Sequence, residues 1–339
     1  MRTGVGIIRF IFPEGSVVFM KRFLCIIVAA VLMICSASIA LAEAPVEKQP
    51  LKIGLLMPAM THGWVSGITY YAKKKADKLA AEGKIEYKLS VSSNAEEMTS
   101  QIDEMILWGA KALIVAPQWK GMEVPIQNAI NQGIIVIAFD MDIDADGIYK
   151  VTGDNKSMGV EGAKYLVDKI GKEGTVVALP VPTAGSVNDL RMQGFHETMT
   201  QIAPNMKILE YSVESFAKED GLKVMADVLT KNPKIDAVFS LDDETSMGAL
   251  QAMQEAGRND IKLITGGGGC QEYFRIIKDT KNMIACTTLY SPKMVEECFE
   301  IALKLHSGEK LDNHVIVIPT KVVDAGNADE YIDPNNSVY

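Results

Sequence analysis

The chain has 339 residues, 48% hydrophobic and 23% charged, with a formal net charge of −9. That balance supports a packed core and excludes an intrinsically disordered chain; the length points to two domains. An acidic chain without clustered Lys and Arg also excludes a nucleic-acid-binding surface.

The first element is a candidate export signal spanning residues 1–42. Met20-Lys21-Arg22 precedes an apolar run, Phe23 to Ile34, which gives way to Ser36-Ala37-Ser38 and Ala40-Leu41-Ala42. A basic start, an apolar stretch of this length and a small-x-small site predict cleavage after Ala42, with Met20 as the natural start. The apolar run is too short and too rich in Ser and Ala near its end for a membrane anchor. Cys25 and Cys35 lack the preceding small residues of a lipid-attachment site. The mature chain keeps Cys270, Cys286 and Cys298, an odd number, so at most one bridge can form among them. No His or Cys cluster has zinc spacing, and no metal or other cofactor is expected.

From Lys52 onward, short apolar runs alternate with amphipathic stretches. The predicted order is strand 53–57, helix 65–81, strand 87–91, helix 96–108, strand 112–116, helix 122–131 and strand 134–139. The strands are continuously apolar, as in parallel sheets covered by helices on both faces. After an Asp-rich loop the pattern restarts: helix 157–170, strand 175–179, helix 187–202, strand 207–213, helix 218–230, strand 236–241, helix 245–256 and strand 262–265. The fold class is therefore α/β, with two doubly wound units and a break near Gly153-Asp154. Open α/β sheets bind ligands beyond the carboxyl ends of their strands. The residues following Met57, Ala116, Phe139, Leu179, Leu241 and Thr265 are the ones to inspect.

After the first strand, His62 and Trp64 precede the first helix. An aromatic there either lies flat against a ligand face or packs in the core. Asp140 ends an apolar strand, as a hydroxyl acceptor or as a cap. Arg191 opens RMQGF on a helix, where its rigid fork of donors suits ring and hydroxyl oxygens; the alternative is a surface ion pair. In Asp242-Asp243-Glu244, neighbouring side chains point apart, which predicts one ligand acceptor plus helix capping rather than a metal cluster. The four-glycine loop Gly266–Gly269, with Gly267 inside it, lacks both G-x-G-x-x-G and a Walker lysine. It serves instead to let backbone approach a ligand closely. Asp142, Asp144, Asp146 and Gly147 imitate the start of a calcium loop, but its twelfth position holds Gly153 in place of the bidentate Glu. No G-x-S-x-G elbow occurs, and no catalytic machinery is visible.

The ordered segments IGLLMPAMTHGWVSGITYYAKKKADKL, QIDEMILWGAKALIVAP, GIIVIAFD, VTGDN, RMQGF and IDAVFSLDDETSMGALQAM resemble periplasmic sugar-binding proteins of the ribose-binding class. The resemblance runs from about Leu51 to Thr320. It implies two Rossmann-like lobes joined by three crossovers, with residues 51–153 and about 290–318 in the first and 154–289 and about 319–339 in the second. It implies ligand contacts at Asp140, Arg191 and Phe216, with Asp242 and Trp64 at further contact positions. Departures stand at His62, at Met141 where ribose binders have Arg, at the four glycines, and at Thr288-Leu289-Tyr290, which brings Tyr290 into the site. The lost charged partners are each worth roughly 1.5–3 kcal/mol, enough to reject ribose itself. The resemblance implies a periplasmic, monomeric receptor that takes a small sugar or polyol to an ABC transporter permease in the inner membrane. The alternative is a sensory protein presenting its ligand to a histidine kinase or chemoreceptor.

Overall fold

A computed structural model describes residues 49–60, 63–336 and 339. The export signal, Cys25, Cys35 and His62 lie outside these residues. No helix among the described residues is long and apolar enough to cross a membrane.

The first half builds a sheet from β1 (Leu51–Pro58), β2 (Ile85–Ser92), β3 (Ala112–Val115), β4 (Ile135–Phe139) and β5 (Tyr149–Gly153). Helices α1 (Gly63–Ala81), α2 (Ala95–Trp108) and α3 (Glu123–Asn131) connect its strands. The second half begins with α4 (Asn155–Ile170), then β6 (Gly174–Leu179), α5 (Ser186–Ile202), β7 (Met206–Glu210), α6 (Lys218–Lys231), β8 (Ala237–Ser240), α7 (Asp243–Glu255) and β9 (Leu263–Ile264). The chain finishes with β10 (Gly267–Gly268), α8 (Gln271–Asp279), β11 (Ile284–Ala285), β12 (Thr287–Leu289), α9 (Glu296–His306), β13 (Val315–Ile318) and β14 (Val322–Val323).

Among the described residues these strands form two parallel sheets, ordered β13-β5-β4-β3-β1-β2 and β11-β9-β8-β6-β7. Strands β3 and β8 are buried along their whole length, the reason their sequences are unbroken apolar runs. The expected doubly wound α/β architecture is present. One reading needs correction: the end of the Asp-rich connection is a strand, β5, and its neighbour β13 comes from more than 150 residues downstream. Helix starts follow local chemistry. Asn94 accepts from Glu97 N at 2.9 Å, and Asp154 accepts from Ser157 N at 2.9 Å.

Three chain passages join the sheets, at Gly153–Asn155, after Leu289, and between Ile318 and Val322. They bond to one another: Asp154 N donates to Ile318 O at 3.1 Å, and Leu289 N to Lys321 O at 2.8 Å. A small third sheet, β10-β12-β14, braces this hinge. At the first passage a Cβ on Gly153 would lie 2.4 Å from Cε2 of Tyr290. Only glycine lets that ring lie across the hinge.

Helices α4 and α5 touch backbone to backbone. A Cβ on Gly159 would sit 1.9 Å from Arg191 O, and one on Gly194 would sit 2.1 Å from Lys156 O. Gly194→Ala is expected to lower stability by about 1–3 kcal/mol through overpacking. The same change displaces the helix carrying Arg191. Urea unfolding checks the first effect, and an unchanged midpoint would show that the helix pair tolerates separation.

Candidate ligand-binding site between the lobes

The carboxyl ends of both sheets face a common cavity of about 320 Å³, at the lower end of the range for small-ligand sites. Trp64, Asp140, Arg191, Phe216, Asp242, Gly267 and Tyr290 all line it. The structure thus gathers every described residue expected there from sequence.

Arg191 is 6% exposed, which removes the surface ion-pair alternative. Its Nε donates to Asn155 Oδ1 at 2.9 Å and its Nη1 to Leu241 O at 2.7 Å. The guanidinium lies over the Tyr290 ring at 5.0 Å and near Phe216 at 6.0 Å. Burial lowers its pKa, while Tyr290, Asp242 and Asp140 pull it back up. The head group is therefore held by neighbours on several sides.

Tyr290 links both lobes at the hinge. Its hydroxyl donates to Asp140 Oδ1, lies 3.0 Å from Thr152 Oγ1, and accepts from Asn155 Nδ2 at 3.3 Å. Its backbone carbonyl accepts from Trp64 Nε1 at 2.6 Å. The Trp64 ring stacks on Phe139, 6.1 Å away and 12° from parallel, and sits tilted against Tyr290 at 5.6 Å. Trp64 thus both packs in the core and lines the cavity.

Asp140 has φ 72°, the one positive value outside glycine among the described residues. A short polar side chain tolerates that region better than most, and such strain gathers at functional sites. The sharp turn after β4 swings the carboxylate toward Tyr290.

The three adjacent carboxylates divide their tasks. Asp242 Oδ1 caps α7, accepting from Glu244 N at 2.7 Å and Thr245 N at 3.2 Å. Asp243 Oδ2 accepts from Gly269 N and Cys270 N at 2.7 and 2.8 Å, fixing the glycine loop. Glu244 reaches the opposite lobe, its Oε1 accepting from Gly63 N at 2.9 Å. Burial raises the pKa of all three and of Asp140, and the mutual repulsion of Asp242, Asp243 and Glu244 adds to it for Asp242.

Gln118 and Asn155 carry no local signal of a site role, and Glu244, expected only among the helix-capping carboxylates, bonds Gly63 N instead. Gln118 lines the cavity two residues beyond Ala116, at a strand end already marked for inspection. Its Nε2 is buried without a hydrogen-bond partner. Asp142 in the acidic loop pairs with Lys150, and no group of three His, Cys, Asp or Glu side chains converges among the described residues.

Cys270, Cys286 and Cys298 are free and buried. Burial pushes the Cys270 thiol up to about 12 and the other two still higher. Since the thiolate is the reactive form, a thiol-specific chromogenic reagent is expected to leave all three untouched in the native protein and label them after denaturation. Rapid native labelling would contradict the burial.

A family profile for the periplasmic binding protein domain matches residues 53–310. Among curated proteins, the ribose import binding protein of Bacillus subtilis (strain 168) is 26% identical over 251 residues, 74% of this chain and 79% of that protein. The D-xylose-binding periplasmic protein of Escherichia coli (strain K12) is 27% identical over 310 residues, 86% and 91% of the two chains. Among solved structures, an ABC transporter periplasmic solute binding protein from Actinobacillus succinogenes 130z with bound D-allose superposes with a TM-score of 0.74. It shares 25% identity, and the match covers 83% of this chain and 100% of that one.

Proposed function

This chain belongs to the periplasmic binding protein domain family, and from that premise we propose that it captures a monosaccharide or polyol between its lobes and delivers it to an ABC permease of the inner membrane. The observation that carries the reading is the interlobe cavity, where a buried guanidinium, two carboxylates and aromatic rings converge. Hydroxyl groups both donate and accept, so they suit Arg191 beside Asp140 and Asp242. Aromatic faces suit the apolar C–H face of a sugar ring. In this reading the protein acts as a periplasmic monomer after loss of residues 1–42, and it binds rather than converts its ligand. The lobe boundaries that go with it are 51–153 with 290–318, and 154–289 with 319–339.

Asp140 and Gln118 follow strands of the first sheet, whereas Asp242 follows a strand of the second and Arg191 lies on α5 beside that sheet. A ligand touching both sets favours the arrangement that brings them together, and must shift the population toward it. A permease that senses relative lobe position then distinguishes loaded from empty receptor. The test is a thermal-shift screen of aldoses and polyols followed by calorimetry. At 100 times the dissociation constant, a true ligand adds about 2.7 kcal/mol of stability. Small-angle scattering should show a smaller radius of gyration with that ligand. A screen without a single saturable one-to-one binder would overturn the proposal, and an unchanged scattering profile at saturation would overturn the closure.

A further inference from the structure

The cavity lining contains both a polar and an apolar set of side chains. Gln118 and Asp140 follow β3 and β4, which are paired neighbours in the first sheet. Gln118 Nε2 is a buried donor without a partner, a state that costs stability until an acceptor arrives. Asp140 gives Oδ1 to Tyr290, which leaves Oδ2 to accept from a ligand hydroxyl. Arg191 uses Nε and Nη1 within the protein, which leaves Nη2 to donate.

The apolar set comes mostly from the segment between β6 and α5 and the first turn of α5. Val181, Thr183 and Ala184 line the cavity from the segment, and Val187 from α5. The Thr183 hydroxyl is engaged with Glu214 O at 2.6 Å. The backbone here turns inward as well: Val181 N donates to Asn188 Oδ1 at 2.8 Å and Ala184 N to Val181 O at 2.9 Å. Pro182 has no N–H to offer. Val187 precedes Arg191 by one helical turn, so an apolar surface adjoins the guanidinium directly. Met141 adds another apolar group from the opposite lobe.

Resting on the sugar-or-polyol reading, we infer that the ligand is a deoxysugar or methyl-bearing polyol, its hydroxyl edge against Gln118, Asp140 and Arg191 and its methyl edge against Val181, Ala184 and Val187. A fully hydroxylated analogue places its extra hydroxyl against Val181, Ala184 and Val187, whose side chains neither accept nor donate. An apolar pocket rejects such an added hydroxyl by roughly 10- to 100-fold.

Calorimetry on the mature protein with matched pairs tests this: L-fucose against L-galactose, D-fucose against D-galactose, L-rhamnose against L-mannose, and 1-deoxy alditols against their parents. The deoxy member of the binding pair is expected to bind roughly 10- to 100-fold more tightly. Val187→Ser should shrink that preference to a few-fold at most, and Gln118→Ala should weaken both members about equally without lowering the melting temperature. Equal or tighter binding of the hydroxylated parent would overturn this inference and leave the sugar-or-polyol reading intact. Failure of every pair and of the wider aldose and polyol screen would overturn both. Unchanged affinity in Gln118→Ala would remove that residue from recognition.

Discussion

Arg191→Ala is expected to cut ligand affinity by about 30- to 150-fold and to destabilise the second lobe measurably. The guanidinium is buried, and two of its donors hold protein acceptors. A charge-assisted contact to ligand is worth roughly 2–3 kcal/mol, which sets the affinity loss. Truncation also leaves Asn155 Oδ1 and Leu241 O without that donor, at about 1–3 kcal/mol for a buried unsatisfied acceptor. It removes the cation that partly offsets repulsion around Asp242 as well. Arg191→Lys should rescue little, because an ammonium cannot reproduce a planar fork that bonds Asn155 and Leu241 while sitting over the Tyr290 ring. Calorimetry and urea midpoints on both variants check this. A folded Arg191→Ala protein with wild-type affinity would exclude the residue from the site.

Much of the fold was legible because burial wrote it into local composition. Strands such as β3 and β8 are enclosed on both faces and so read as apolar runs. Strand β5 was not legible. YKVTG is half-buried at its start, and its pairing depends on β13, whose residues alternate between exposed and half-buried on a sheet edge. The short strand β10, two glycines, carries too little pattern to register, whereas β9 falls inside the predicted strand 262–265.

The site was legible where strand-end topology alone names a residue. Asp140, Asp242 and Gly267 follow directly from that rule, and the resemblance added Phe216 and Tyr290. Gln118 stood at an equally marked strand end, but its significance lies in the absence of a partner for Nε2, a tertiary fact. Tyr290 carries a second task that no local pattern announces. Its ring crosses the hinge only because Gly153, 137 positions earlier, has no side chain. Glu244 likewise looks like an ordinary first-turn helix acid until Gly63 N is found beside it.

Acidification is expected to move ligand affinity and ligand-free stability in opposite directions. Burial raises the pKa of Asp140, Asp242, Asp243 and Glu244 above the ordinary values of 3.8 and 4.5. A carboxyl whose folded value is raised contributes stability that is fully present below its unfolded value and is lost as pH rises through the folded one. Above its raised value each of these groups is ionised at a cost, and acidification through that value removes it. Melting temperature without ligand should therefore hold or rise as the pH falls toward the raised values. Binding runs the other way, since Asp140 and Asp242 accept ligand hydroxyls best when ionised. Below the raised values, affinity should fall by about ten-fold per pH unit for each carboxylate that must release its proton. Asp140→Asn separates the contributions. Asn tolerates the positive φ at this position, still accepts from Tyr290, and does not titrate. In that variant the pH profile of affinity should lose the Asp140 step and keep the one from Asp242. Calorimetry and differential scanning fluorimetry between pH 8 and pH 4.5 supply both curves. If affinity and ligand-free stability fell together in the wild type, general acid unfolding would explain the loss and the buried carboxylates would not. If the Asp140→Asn profile matched the wild type, Asp140 would not be the group that gates binding.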